Sequence, residues 1–399
     1  MSDNQAHARR DTVLAAIAFL IVMIGTTLPT PLYALYEQQL GFGPTWLTLI
    51  FSTYAAGVIA ALLVAGGWSD QLGRRPMMFA AIAMSAISAV VFLSWQSIPG
   101  LLVGRLFSGF SAGIMTGTGT VAVIELAPKA WRGLATLIAT GANMLGLGLG
   151  PLLAGITSQY LPWPLHLSYS GHLVMLGLAT LFVAMIRESA QRPAKPRLQV
   201  QRPSIPAQVR PLFIPACIAG LAGFGVAGLF TSMVPSIMGQ LMAQKGGAVI
   251  GAVICMFFIA STTGQALMKW LPEHRHMTFG CSALILGMLA FGYSIASHQV
   301  LWLLLGAIIS GAGQGIAFRA GMAAVTAATP ADQKAAVTSA LFIVLYGSMA
   351  TPVIAVGVSV PSFGLSHVGE LFAGLVALVA LVALVSMAVV QGRRSSEPA

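Results

Sequence analysis

Twelve long apolar runs leave this chain of 399 residues one kind of environment to fold in. A helix that crosses a bilayer needs about 20 mostly apolar residues. Runs of that kind lie at about 12–36, 45–67, 77–96, 100–124, 133–159, 166–186, 211–236, 247–269, 277–296, 300–326, 335–360 and 368–390. Gly and Pro inside them are tolerated, because membrane helices re-satisfy the backbone groups these residues free. Charged residues are 8% of the chain, against about 25% in a soluble domain. That excludes a cytosolic enzyme, a secreted disulfide scaffold and a disordered chain. Cys217, Cys255 and Cys281 lie in apolar runs without CxxC spacing and read as small packing residues. Arg9 and Arg10 before the apolar run from Val13 imitate a signal peptide, but no small-residue cleavage site interrupts the run. The sequence therefore predicts an uncleaved first span.

The cations orient the spans. With the N-terminus cytoplasmic, seventeen of the 20 Lys and Arg fall in cytoplasmic segments and only Lys245 falls on the other side. Arg105 and Arg319 lie inside spans. Such a bias predicts a multi-pass protein of the cell (inner) membrane with both termini cytoplasmic. The net charge of +10 then belongs to loops facing anionic lipid head groups, and no nucleic-acid partner is needed. Residues 187–210 carry six basic residues, one acid and four prolines. They read as a solvated cytoplasmic linker between an N-terminal bundle, 1–186, and a C-terminal bundle, 211–399.

The two halves repeat. A constant offset of 202 aligns Gly104 with Gly306, Ser108 with Ser310, Gly109 with Gly311, Gly113 with Gly315, Ile114 with Ile316, Gly119 with Gly321 and Pro128 with Pro330. Small residues four apart let helices approach closely, so span 4 is expected to pack as span 10 does. An even number of spans per half makes the repeat parallel, with an axis along the membrane normal. Halves of that kind with a site near the midplane are a transporter architecture.

The loop after span 2 reads Gly66-Gly67-Trp68-Ser69-Asp70-Gln71-Leu72-Gly73-Arg74-Arg75. Locally, Gly66 permits close helix approach, Gly73 a tight turn, and Asp70 either a cap on a helix start or a contact with a neighbouring helix N-terminus. The loop resembles the signature G-x-x-x-D-[RK]-x-G-R-[RK] of the major facilitator superfamily. Gly66, Asp70, Gly73, Arg74 and Arg75 match, and Gln71 stands where a cation is usual. Arg105-xxx-Gly109-xxx-Gly113 in span 4 is similar to the family's second motif, and Glu125 to Gly133, with Arg132, to its loop between spans 4 and 5. Gly146, Gly150, Pro151 and Gly155 in span 5 match the G-x-x-x-G-P-x-x-G-G motif of the antiporter branch, with Ala154 for one glycine. The resemblance covers essentially the whole chain. It implies an all-α membrane protein of two pseudo-symmetric six-helix bundles. It also implies a cytoplasmic latch of Asp70, Arg74 and Arg75, with Glu125 as a partner through one arginine.

Ionisable groups inside spans mark transport pathways. Arg105 and Arg319 are cavity cations for a carboxylate, phosphate or sulfonate, or else arginines that reach an interface. Arg319 stands at the repeat position of Gly117. Every acid lies at or beyond a span end, and Glu37, after Tyr33 and Tyr36, is the best remaining proton carrier. His172 in span 6 is the second candidate. Tyr33, Tyr54, Asn143, Gln265, Gln314 and Tyr346 either line a cavity or bond a neighbouring helix. Pro29-Thr30-Pro31 should bend span 1. Glu273-His274-Arg275-His276 reads as a solvated loop rather than a metal site.

No nucleotide fingerprint, HExxH or nucleophile elbow occurs, so neither an enzyme nor a cofactor is expected. The reading is a secondary transporter working by alternating access: proton-coupled export, by a monomer, of a small organic molecule or drug. The alternative is a carrier of a small organic anion or metabolite using Arg105 and Arg319. A non-transporting membrane sensor or scaffold is the minor alternative.

Overall fold

A computed structural model describes residues 2–191, 193, 198, 200, 203–244, 246–330 and 333–396, and side chains are described for all of these but residues 2–4, 132, 335 and 388–396. Among the described residues there are helices and no strands. The α-helices are α1 (Ser2–Thr27), α2 (Tyr33–Leu40), α3 (Pro44–Ala65), α4 (Trp68–Leu72), α5 (Arg74–Ser94), α6 (Ile98–Leu126), α7 (Arg132–Tyr160) and α8 (Pro164–Met185). They continue as α9 (Arg210–Ser232), α10 (Val234–Leu241), α11 (Gly247–Leu267), α12 (His276–Ser297), α13 (Val300–Ala328), α14 (Lys334–Phe363) and α15 (Leu365–Ser396). Among the described residues, 12 helices are long and apolar enough to cross a membrane.

The first span differs from the expected single run over 12–36. Its crossing segment is Gln5–Thr27, and the chain then turns over residues 28–32 before α2 begins at Tyr33. Pro29 and Pro31 lack the N–H that a continuing helix needs. The turn is closed by shorter bonds, from Thr30 N–H to the Thr27 carbonyl and from Leu32 N–H to the Pro29 carbonyl, both 3.0 Å. Tyr33, Tyr36 and Glu37 therefore ride on a separate short helix.

Two compact units form. The first holds Met1–Gly41, Thr53–Arg202 and Gly246–Cys255; the second holds Phe42–Ser52, Pro203–Lys245 and Met256–Ala399. Helix ends keep the offset of the glycine repeat. Ile98 and Leu126 bound α6 where Val300 and Ala328 bound α13, while α5 and α7 start at Arg74 and Arg132 as α12 and α14 start at His276 and Lys334. Packing repeats as well. In the first unit α5 packs on α6 and α8, and α1 on α6, α7 and α8. In the second, α12 packs on α13 and α15, and α9 on α13, α14 and α15.

The aligned glycines supply a physical reason for the repeat. A Cβ on Gly109 or Gly113 of α6 would strike the backbone of Tyr54, Gly57 and Val58 on α3. A Cβ on Gly311 or Gly315 of α13 would strike Phe257 and Ser261 on α11 in the same way. With no side chain between them the helices meet backbone to backbone, the small-residue packing that membrane helices use for lack of a hydrophobic drive.

Candidate functional site

Arg74 organises the basic end of the first unit. Its chain enters α5 through Gly73, whose φ of 107° only glycine adopts without strain. The guanidinium is nearly buried and forks onto Glu125, with Nη2 to Oε1 at 2.9 Å and Nε to Oε2 at 3.1 Å. It also meets Asp70 Oδ1 at 2.6 Å, one turn away, and Nη1 donates to Ser69 Oγ at 2.6 Å. A bidentate arginine–carboxylate pair is among the stronger and more directional polar contacts. Arg75 points elsewhere, donating to the carbonyls of Val183 and Ala184 at 3.1 and 2.7 Å. So the partner expected of Glu125 is Arg74.

Of the two readings of Asp70, the structure shows no cap at the start of α4 but a pair with Arg74, the first residue of α5. The first N–H groups of α5 are held instead by Glu188, which accepts from Arg74 N at 2.8 Å and Arg75 N at 3.2 Å. A carboxylate there satisfies orphan donors and matches the positive end of the helix dipole. Ser189 adds a 2.6 Å bond to Glu125. Glu188 and Ser189 thus belong to this network rather than to a solvated linker. The only sequence hint is that Glu188 is the one acid in a strongly basic segment. Arg187 Nε meets the fully buried Asp11 at 3.0 Å, another pair without a motif. The side chain of Arg132 lies outside the described residues, as do Arg192, Lys195, Arg197, Arg202 and Lys245.

Deeper in the same unit, Arg105 is 2% exposed and does not reach a surface. Its Nη1 donates to the Thr26 carbonyl at 2.6 Å, and its guanidinium lies 4.6 Å from the ring centre of Tyr54. The Thr26 carbonyl is available because α1 ends one residue later, before the proline turn. The break in span 1 thus furnishes an acceptor for the buried cation. Tyr36 donates or accepts a 3.3 Å hydroxyl bond with Tyr169, which stacks on Phe92 at 4.9 Å. The Tyr33 hydroxyl and Asn143 Oδ1 are buried without a hydrogen-bond partner among the described residues. Glu37 is half-buried on α2, and burial pushes its carboxyl up to about 7. His172 is buried with one ring nitrogen 3.1 Å from Ser85 Oγ, and it fills the space beside Gly25.

The span 5 motif has a local explanation. Pro151 removes the helical bond to the Leu147 carbonyl, and Thr27 Oγ1 on α1 donates to that carbonyl at 2.8 Å. Gly146 and Gly150 bring α7 against the α1 backbone at Leu20 and Ile24, and Gly155 against Gly247.

In the second unit Gln314 Oε1 accepts from Ser261 Oγ at 2.6 Å. Gln265 is 1% exposed, and both polar atoms of its amide lack a partner among the described residues. Tyr346 packs edge-on to Phe224 at 5.8 Å and near Phe342 at 6.3 Å. Arg319 Nη1 donates to the Gln265 carbonyl at 2.8 Å. Beside it, Glu273, His274 and His276 line an open cavity, with Glu273 and His274 exposed to solvent. Among the described residues no group of three or more His, Cys, Asp or Glu is placed to hold a metal ion.

A family model described as Major Facilitator Superfamily matches residues 15–352. The putative multidrug resistance protein MdtD of Salmonella paratyphi B (strain ATCC BAA-1250 / SPB7) is 24% identical over 164 residues, 41% of this chain and 35% of that protein. Its namesake from Klebsiella pneumoniae (strain 342) is 25% identical over 164 residues, again 41% and 35%. In each alignment, this chain spans 35% of the curated relative's length. Among solved structures, the human organic anion transporter MFSD10 (TETRAN) superposes with a TM-score of 0.67 at 18% identity, covering 94% of this chain and 99% of that one. A POT family transporter in complex with a thioalcohol-conjugated peptide gives 0.76 at 14% identity, with 96% of each chain covered. At those identities the likeness speaks for the fold. The family model, by contrast, runs through most of the sequence, and its match agrees with the 12 apolar helices and their repeated packing: this chain is a multi-pass membrane protein that belongs to the Major Facilitator Superfamily.

Proposed function

We propose that this chain is a secondary active transporter that works by alternating access and exports a small organic molecule or drug in exchange for protons. The observation that carries the reading is that each unit buries polar atoms without a hydrogen-bond partner among the described residues: Tyr33 Oη and Asn143 Oδ1 in the first, and the amide of Gln265 in the second. Each such atom costs about 1–3 kcal/mol when left unpaired in an apolar interior. Groups of this kind persist where a substrate or water pairs with them in turn. Glu37 is the proton carrier of this reading, since a carboxyl held near 7 changes charge at physiological pH. The names of the curated relatives support a drug as cargo.

In the same reading Asp70, Arg74 and Glu125 form the cytoplasmic latch, which breaks as the transporter switches. Bundles at 1–186 and 211–399 are the moving bodies, 187–210 joins them, and both termini face the cytoplasm of an inner membrane. The protein acts as a monomer. A second reading, a carrier of a small organic anion, is favoured by the buried charge of Arg105 against Tyr54 and the Thr26 carbonyl.

Everted membrane vesicles separate the two. After respiration acidifies their lumen, a lipophilic cation should release protons from wild-type vesicles and not from Glu37→Gln vesicles. Organic-anion uptake that ignores the pH gradient and vanishes in Arg105→Gln would favour the second reading. Release of equal size in Glu37→Gln would remove that residue as the carrier.

A further inference from the structure

The helix ends that hold Arg74 in the first unit have counterparts at the repeat positions of the second, and the structure is hollow there. An open cavity of about 850 Å³ lies within the second unit, where the end of α11, the start of α12 and the last turns of α13 meet. Its floor is a run of alanines on α13 from Ala320 to Ala328. One of them, Ala327, stands at the repeat position of Glu125. Its polar lining is Lys269, Arg319, His274, His276 and the single acid Glu273.

Two of these side chains are anchored here, one by the last turn of α11 and one by the 3-10 turn, Met268–Trp270, that follows it. Arg319 Nη1 donates to the Gln265 carbonyl at 2.8 Å. That carbonyl points along the helix axis toward residue 269, so the guanidinium is held about one turn from Lys269. His276 Nε2 lies 3.0 Å from the carbonyls of both Met268 and Leu271. Capping the last carbonyls of a helix accounts for one donor of each side chain. It leaves the Arg319 charge without a carboxylate, while the Lys269 ammonium lies over the Trp270 ring, 4.3 Å from its centre. Among the described residues no carboxylate lies within 4.0 Å of Lys269 or Arg319, whereas Arg74 in the first unit has two, at 2.6 and 2.9 Å. Glu273 shares the cavity and makes no ion pair with either cation.

We propose that this cavity binds an organic phosphate, with the phosphate held by Arg319 and Lys269 and the organic body laid on the alanine face of α13. Arginine forks and lysine point charges are the usual partners of phosphate oxygens. The volume falls within the range of about 300–1,000 Å³ typical of small-molecule sites, and apolar walls with a few convergent polar groups are their usual lining. The ligand takes the place that Glu125 and Asp70 occupy in the first unit. It comes either from an anionic lipid or from a soluble phosphate ester, and the cavity's chemistry is the same for both. The inference does not depend on the direction or cargo of transport.

The test is the thermal unfolding midpoint of the purified full chain in neutral detergent. It is titrated with dioleoylphosphatidylglycerol in mixed micelles and, separately, with glycerol 3-phosphate; dioleoylphosphatidylcholine is the control. A saturable rise with at least one of the two phosphates is expected, and the one that saturates names the source. Lys269→Gln and Arg319→Gln should each weaken apparent binding about tenfold. Ala327→Leu, which fills the cavity and keeps every charge, should weaken it comparably. Arg275→Gln, outside the lining, should leave it unchanged. If Arg319→Gln does not fold, Lys269→Gln and Ala327→Leu decide. No saturable rise with either phosphate, or unaltered binding in both Lys269→Gln and Ala327→Leu, would overturn the proposal.

Discussion

At the basic end of the first unit, one arginine gathers two acids from its own turn and from α6, while a third acid caps α5. At the matching place in the second unit, His276 stands for Arg74, Ala327 for Glu125 and Pro272 for Asp70, and a cavity replaces the charge network. Helices α5, α6 and α7 nevertheless begin at the positions matching α12, α13 and α14, and the helices pair in the same way. What the two units share is small residues at helix crossings and apolar faces. The fold therefore rests on backbone-close packing, and the second unit reaches it without the charge network of the first.

Mutations at matching positions should therefore have unequal effects in the polar networks and equal ones at the crossings. Arg74→Gln should destabilise the protein most, by about 2–3 kcal/mol, because it strands Glu125 beside Ser189 and removes the partner of Asp70. A fully buried pair would cost about 3–5 kcal/mol, and the partial exposure of both acids reduces that. His276→Gln should cost about 1 kcal/mol, one hydrogen-bonded cap. Chemical denaturation of the two variants in the same detergent checks the difference, and equal losses would refute it. Gly109→Leu and Gly311→Leu should each cost about 2 kcal/mol and stay within about 0.5 kcal/mol of each other, since both force a side chain against a neighbouring backbone. A large inequality would show that the shared stripe does not carry equal weight in the two units.

Glu188→Ala should cost about 1 kcal/mol through the exposed donors at the start of α5. Hydrogen exchange at the first turn of α5 should rise with it, while the first turn of α12 stays as it was. Glu37, whose repeat position is Gly239, gives a pH-dependent contrast. Its carboxyl titrates near 7 in the folded chain, above the ordinary value of 4.5. The protonated form is thus favoured by folding, and stability from this group is present below about 4.5 and lost as pH rises through 7. Glu37→Gln should therefore gain stability over wild type at pH 8, and the gain should vanish by pH 4.5. Smallest of all is the effect expected of Ala327→Glu, a change no larger than an ordinary surface substitution makes, since the cavity has room for the side chain and cations to meet it. A loss as large as that of His276→Gln would mean that the two sites are not interchangeable in shape.

Much of this architecture was legible in the sequence, for identifiable reasons. Apolar runs of bilayer length announce spans directly, and glycines in register at one offset announce a common crossing. The arginine pair after Gly73 and the acid at Glu125 could be matched because both sit at span ends. Three things were hidden. A bend at Pro29-Thr30-Pro31 was legible, but not that the crossing helix ends at Thr27 and a separate short helix begins at Tyr33. Glu188 and Ser189 join the Arg74 network from the far side of α6, α7 and α8, a separation that no local pattern encodes. The cavity of the second unit was visible only as a failed match, alanine for glutamate at 327, and a void is a property of packing rather than of any one residue.

Flux through the purified chain in proteoliposomes shows most directly whether an organic molecule is exchanged for protons. A labelled lipophilic cation and a labelled small organic anion would each be followed under an imposed pH gradient of either sign. The cation should move against the proton gradient, its flux should reverse when the gradient is reversed, and Glu37→Gln should uncouple the two. Flux that ignores the gradient for both compounds, or no flux above empty liposomes with a panel of either charge, would contradict proton-coupled export.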